Sequence, residues 1–149
     1  MRYQLEMDIE LPRHRVIDLF LDPENLPRWQ PSLVEHEFIK GNGTRDVGAQ
    51  SRQVHEMNGR VVVMIQTIKV CDYPDKFSAS YEGDGVYNLI ENSFSEIGEK
   101  KTRWILSSEF RCSNMFMKLM TFVVPGQFKK QTLKFMMLFK EFAEKFDRP

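Results

Sequence analysis

Residues Gly126 to Asp147 read GQFKKQTLKFMMLFKEFAEKFD. Within that stretch Phe128, Thr132, Phe135, Met136, Phe139, Phe142, Ala143 and Phe146 recur at steps of three and four, which places them on one stripe of a helix roughly 30 Å long. Lys129, Lys130, Lys134, Lys140, Glu141, Glu144 and Lys145 fall mostly on the other side, and Glu141 with Lys145 has the spacing that supports an exposed helical face. Pro125 and Gly126 mark the start, and the Asp147-Arg148-Pro149 tail the end. A helix so aromatic on one side has to bury that side against something broad. The chain upstream offers strands.

Tyr3, Leu5, Met7 and Ile9 alternate with Gln4, Glu6, Asp8 and Glu10, the pattern of a half-buried strand. Pro12 opens a helix through Phe20, and Asp22-Pro23 breaks it before a second short helix, Pro23 to Trp29. Strands follow at Leu33 to Lys40, Ala49 to Met57, Arg60 to Asp72, Lys76 to Glu82, Val86 to Ser95 and Thr102 to Arg111, separated by turn residues such as Asn58-Gly59 and Gly83-Asp84-Gly85. Loops this short make the strands antiparallel neighbours, since a parallel pair needs a long crossover. Asn114 to Val124 is apolar and reads either as a lead-in to the last helix, kinked at Pro125, or as a separate short helix. An amphipathic element that meets a membrane surface or a partner protein is a further reading of that segment.

The totals bound the function. A chain of 149 residues fits a single domain, residues 1–149, that buries roughly two thirds of its unfolded surface. Lys plus Arg is 21 and Asp plus Glu is 21, so no basic excess argues for nucleic acid. The 12 Phe and 9 Met form a soft, bulky apolar set, suited to ordinary core filling or to ligands of irregular shape. Cys71 and Cys112 lack CxxC spacing and read as thiols in a reducing compartment. No signal peptide is recognisable and no apolar run approaches the roughly 20 residues of a membrane span, so a cytoplasmic protein without stable membrane insertion is expected.

One strand, two short helices, six antiparallel strands and a long final helix imply a curved sheet wrapped round that helix. The chain resembles the SRPBCC superfamily, the START-like or helix-grip α+β fold of polyketide cyclases, lipid-transfer domains and the birch-pollen allergen group. The residues that carry the resemblance are Asp22-Pro23-Glu24-Asn25-Leu26-Pro27-Arg28-Trp29 with Pro31, then Gly48, and Phe139-Lys140-Glu141-Phe142-Ala143-Glu144 closing the last helix. The resemblance implies a curved seven-stranded antiparallel sheet with the long helix in its concave face, and between them a cavity for a hydrophobic small molecule. It does not imply an activity, because the superfamily hosts binders, transporters and enzymes without shared catalytic residues.

Strand parity points Val62, Met64, Gln66, Ile68 and Val70 inward, with Phe77, Ala79 and Tyr81 on the next strand and Trp104, Leu106, Ser108 and Phe110 on the last. On Val86 to Ser95, either Asn88 and Asn92 face in with Ile90 and Phe94, or Tyr87, Leu89 and Glu91 do. Buried amides need hydrogen-bond partners and would bridge one another or orient a ligand. A buried Glu91 would have a raised pKa and serve as an acid or base. The expected ligand-binding set is therefore Met64, Gln66, Ile68, Phe77, Tyr81, Asn88, Asn92, Trp104 and Leu106 from the sheet, with Phe128, Phe135, Met136 and Phe139 from the helix. These side chains line a cavity, or they fill the same space as core.

Catalytic candidates are few: His55 or Glu91 as base and Tyr81 or Tyr87 as proton donor. His14, His36 and His55 are isolated in sequence, so no metal site is expected. There is also no nucleophile elbow, phosphate loop or triad spacing, and no cofactor is expected. Binding or transport of a lipid, quinone or polyketide-like molecule is the first expectation. A polyketide cyclase or dehydratase is the alternative.

Overall fold

The computed structural model describes residues 1–57, 59–112 and 125–146. The elements are β1 Arg2–Ile9, α1 Arg13–Leu21, a single 3-10 turn Pro23–Asn25, α2 Leu26–Trp29, β2 Leu33–Lys40, β3 Gln50–Met57, β4 Arg60–Asp72, β5 Lys76–Gly83, β6 Val86–Gly98, β7 Lys101–Cys112 and the terminal helix α3, Pro125–Phe146. The strands form one seven-stranded antiparallel sheet in the order β1-β7-β6-β5-β4-β3-β2. Consecutive hairpins build β2 through β7. β1 pairs with β7, so β1 and β2 lie at opposite edges, and α1, the 3-10 turn and α2 carry the chain from one edge to the other. Asn114 to Val124, the turn residue Asn58 and the Asp147-Arg148-Pro149 tail lie outside the described residues.

Local chemistry sets these boundaries. The Asp22 side chain accepts from the Glu24 amide, and Pro23 follows at the first helical position, so α1 stops and the 3-10 turn begins there. Asp84 and Gly85 adopt φ of 50° and 77° between the paired residues Gly83 and Val86, the two positive values that a type I′ hairpin turn requires. β6 and β7 run further than the sequence pattern predicts, because Ser95, Glu96 and Gly98 still pair with Arg103, Thr102 and Lys101.

α3 spans the concave face. Met136, Phe139 and Ala143 are fully buried, whereas Phe128, Thr132, Phe135 and Phe142 on the same stripe are only half-buried. The stripe ends earlier than its periodicity predicts. Phe146 is 45% exposed, with the guanidinium groups of Arg15 and Arg28 at 5.4 and 5.9 Å from its ring, a cation–π placement that an exposed ring at a helix end favours.

Two anchors hold the helix to β1. The Tyr3 hydroxyl lies 2.5 Å from Thr132 Oγ1 and donates to Phe128 O at 3.3 Å. Eight residues beyond Thr132 the Lys140 ammonium donates to the Asp8 carbonyl and pairs with Glu144 at 3.3 Å. On the opposite side Gln131 Nε2 reaches Met57 Sδ at the tip of the β3–β4 hairpin. Strands from both halves of the sheet thus touch one face of the helix or its flank, as wrapping requires.

One inward assignment is overturned. A register shift between Ile68 and Val70 inserts an extra residue in β4, so the parity flips and Cys71, not Val70, stands opposite Phe77. Val70 is 42% exposed, while Cys71 packs against the core.

Candidate functional site

The concave face is divided along its length. At one end lies an aromatic cluster, buried except at Phe20 and Phe135, which are half-buried. Phe20 from α1 meets Trp29, Phe77, Phe94, Trp104 and Phe139 with ring centroids 5.4 to 5.9 Å apart, and Trp29 packs edge-on to Phe135 and Phe139 at 4.6 and 5.0 Å. Edge-to-face geometry of this kind adds to the burial energy of each ring. Phe20 is the hub, and nothing in its α1 sequence context sets it apart from Val16, Ile17 or Leu19.

Of the predicted ligand-binding set, Ile68, Phe77, Asn92, Trp104, Leu106, Met136 and Phe139 lie buried in or against this cluster. Asn92 faces inward and is satisfied by protein: its Nδ2 donates to Phe77 O at 3.2 Å, and its Oδ1 accepts from Trp104 Nε1 at 2.9 Å.

Beyond this end the inner face turns polar. Ser51, Gln66, Tyr81, Asn88 and Phe110 stand opposite one another on β3, β4, β5, β6 and β7, forming a single transverse row. Ser51 Oγ donates to Gln66 Oε1 at 3.1 Å, and Gln66 Nε2 donates to the Tyr81 hydroxyl oxygen at 3.0 Å. Asn88 Nδ2 donates to Ser108 Oγ at 2.9 Å and to Glu109 O at 3.1 Å. Burial raises the Tyr81 pKa, and the Gln66 hydrogen bond offsets part of that rise. Of the remaining members of the predicted set, all half-buried, Phe128 packs on Phe110 of the row with ring centroids 5.0 Å apart, Met64 stands opposite Gln53, and Phe135 belongs with Trp29 in the aromatic cluster.

The catalytic candidates separate by face. Asn88 and Asn92 point inward, so Tyr87 and Glu91 point outward and the alternative reading of β6 is corrected. Glu91 is exposed and pairs across the strands with Ser78 and Ser107, and the Arg111 guanidinium sits 5.9 Å from the Tyr87 ring. His55 faces inward and is buried, with Ser32 Oγ 2.9 Å from Nδ1 and Gln53 Oε1 3.4 Å from Nε2. Burial lowers its pKa and that of half-buried His36. His14 is exposed. No group of three or more His, Cys, Asp or Glu with metal-binding geometry occurs among the described residues.

Ser51 and Gln53 were not legible as inward positions. β3 reads QSRQVHEM, polar on both faces, so periodicity gives no contrast. Their pairing to the more readable Met64 and Gln66 of β4 is the signal that places them.

A separate open groove of about 610 Å3 lies at the β5–β6 hairpin, lined by Ile65, Glu82, Tyr87, Arg111 and Cys112 among others. Ile65, Glu82, Tyr87 and Arg111 alternate with the inward set, Cys112 shares its parity at the strand end, and no member of the polar row lines the groove.

The family described as polyketide cyclase / dehydrase and lipid transport matches residues 1–135. The chain belongs to that family. The sheet order and the long terminal helix are those of the START-like, helix-grip fold of the SRPBCC superfamily, of which this polyketide cyclase and lipid transport family is part. No curated protein matches the sequence. Solved structures do match the fold. A START superfamily protein from Mycobacterium smegmatis has a TM-score of 0.79 at 14% identity, covering 97% of this chain and 98% of its own. An aromatase/cyclase from a Streptomyces species has a TM-score of 0.81 at 11% identity, covering 99% and 96%. Norcoclaurine synthase from Thalictrum flavum, solved with dopamine and hydroxybenzaldehyde, has a TM-score of 0.73 at 15% identity, covering 100% and 89%. At these identities the likeness carries the fold and leaves the reaction open. No helix among the described residues is long and apolar enough to cross a membrane.

Proposed function

We propose that this chain, acting as a single cytoplasmic domain, binds or carries a hydrophobic or amphipathic small molecule between the concave face and the N-terminal half of α3. The observation that carries the reading is the residual exposure of Tyr81, Asn88 and Ile90. They lie on the inner face of β5 and β6, strands with a paired neighbour on each side, and the opposing helix stripe is half-buried at Phe128, Thr132 and Phe135. Burial also raises the Tyr81 pKa. A group deep enough to be desolvated that still keeps accessible surface borders an internal space, since close-packed interiors leave none.

A lipid, quinone or polyketide-like molecule suits such a space. Affinity would come from apolar burial at about 25 cal/mol per Å2, with the amides choosing orientation. The cyclase alternative needs ionisable groups that converge. Among the described residues His55 is engaged with Ser32 and Gln53, and Tyr81 with Gln66, and no hydrogen bond joins two ionisable side chains on the inner face. That supports binding over turnover. The two free thiols, Cys71 and Cys112, support the reducing compartment.

The test is to purify the protein from its own host and extract it for mass spectrometry, alongside uptake of a fluorescent lipid. A stoichiometric apolar molecule, or saturable uptake, is the expected result. An empty protein that takes up no lipid overturns the reading.

A further inference from the structure

The concave face is free of formal charge over most of its area. From Tyr3 to Ile9, Ser51 to His55, Val62 to Ile68, Phe77 to Tyr81, Asn88 to Phe94 and Thr102 to Phe110, every second residue points inward, and none of these is Asp, Glu, Lys or Arg. Arg60 and Glu96, which share the parity, sit exposed at strand ends. The inward histidines, His36 and His55, are held toward the neutral form by burial. An ion placed there would lose its hydration with no opposite charge among the described inner-face residues to replace it, and that loss is large.

The polar row supplies a complementary pair instead. The Tyr81 oxygen accepts from Gln66 Nε2, so among the described residues its own O–H is left to donate. Among the described residues both bonds made by the Asn88 amide come from Nδ2, so Oδ1 is left to accept. Tyr81 and Asn88 stand directly opposite across β5 and β6, and both keep accessible surface. A ketone answers only the first, and an aliphatic amine, protonated at neutral pH, only the second. A hydroxyl answers both, since it accepts one hydrogen bond and donates another.

We propose that the space takes neutral molecules carrying an alcohol or phenol, whose hydroxyl sits between Tyr81 and Asn88, and refuses ionised ligands of the same shape. This rests on the binding reading above. Gln66 and Ser51 are positioning residues: they fix the Tyr81 oxygen as acceptor and so aim its proton at the ligand. Fatty-acid carboxylates and phosphorylated headgroups are poor cargo, because the described inner face offers no cation to meet them.

Three probes of matched size separate the possibilities: naphthalene, naphthol and naphthoate, the last ionised at neutral pH. Protein-observed NMR titrations of the full chain give each dissociation constant. Naphthol is expected to bind about tenfold more tightly than naphthalene, the worth of one to two net hydrogen bonds, and naphthoate more weakly than either. Tyr81→Phe is expected to narrow the preference for naphthol over naphthalene, since only the hydrogen bond to Asn88 is then left. Naphthoate binding as tightly as naphthol, or naphthol no tighter than naphthalene in the native protein, overturns the inference and leaves the carrier reading standing. If none of the three binds, the carrier reading falls and the inference with it. Should Tyr81→Phe fail to fold, the native ranking decides alone.

Discussion

The indole Nε1 of Trp104 donates to Oδ1 of Asn92 at 2.9 Å, joining β7 to β6 inside the aromatic cluster. The same amide donates through Nδ2 to the Phe77 carbonyl on β5. Three strands are therefore tied by one side chain whose surroundings are otherwise rings: Phe94 stacks on Trp104 with centroids 6.0 Å apart, and Phe139 meets it edge-on at 5.4 Å. An amide this enclosed persists because every alternative partner is apolar.

Replacing Asn92 by leucine keeps the volume and removes both bonds. The orphaned indole alone is expected to cost about 1–3 kcal/mol. Chemical denaturation of Asn92→Leu checks this. The double variant Asn92→Leu with Trp104→Phe should cost less than the sum of the two single changes, because no polar group is then left unmatched. Additive losses would show that the bond does not couple the two residues.

Gly83 is required by a close approach, not by its φ. A Cβ built there would lie 2.4 Å from the carbonyl oxygen of Val63 on the neighbouring strand. Backbone cannot yield as a side chain does, so Gly83→Ala should force β5 away from β4 at the hairpin end. The expected loss is about 1–3 kcal/mol, that of an overpacked site. Gly59→Ala has open space around its Cβ and a φ of 77°. Its cost would come from the left-handed backbone alone, about 1 kcal/mol, and comparing the two melting curves separates clash from strain.

Much of this architecture can be read from the chain. Alternation in Tyr3, Leu5, Met7 and Ile9 and the step of three and four in Phe128 to Ala143 reflect one-sided burial, which periodicity detects. It fails where burial is not one-sided. β3 is polar on both faces, so Ser51, Gln53 and His55 had no contrast to mark them. It fails again where the count slips: the irregularity after Ile68 inverts every later residue of β4 and exposes Val70. The two asparagines of β6 were ambiguous for a different reason. Val86 to Ser95 carries apolar residues on both parities, Tyr87 and Leu89 on one and Ile90 and Phe94 on the other. Only the partners Phe77 and Trp104, distant in sequence, settle which side is in.

Burial of His36 and His55 gives the protein a pH dependence. Both folded pKa values lie below the ordinary histidine value, the cause in each case being loss of hydration. Between the folded values and about 6.5 the unfolded chain binds more protons, so stability falls as pH drops through that window and levels off below it. Asp8 acts elsewhere. Its folded pKa is lowered, first by the Arg103 hydrogen bond, so its contribution is present above the ordinary carboxylate range and is lost only as pH falls through the folded value. Melting temperatures measured from about pH 7 to about pH 5 should therefore decline in the native protein. The decline should shrink in the variant His36→Gln with His55→Gln. An unchanged slope in that variant would assign the effect to other groups.

Ile90 distinguishes a cavity from a filled core. Its cross-strand neighbours on the same face, Ala79 and Ser108, are small, and it is itself half-buried though it lies on an inner strand. If the space in front of it is empty, Ile90→Trp fills that space with little loss of stability, and the uptake of a fluorescent lipid disappears. If the seam is solid, the added ring has nowhere to go, and overpacking costs about 1–3 kcal/mol. The expected outcome is a melting temperature within a few degrees of the native protein together with lost uptake, since about 1 kcal/mol shifts a domain of this size by only a few degrees. A large drop in melting temperature would remove the void. Unchanged uptake in a stable variant would move the binding site away from the row that Tyr81 and Asn88 occupy.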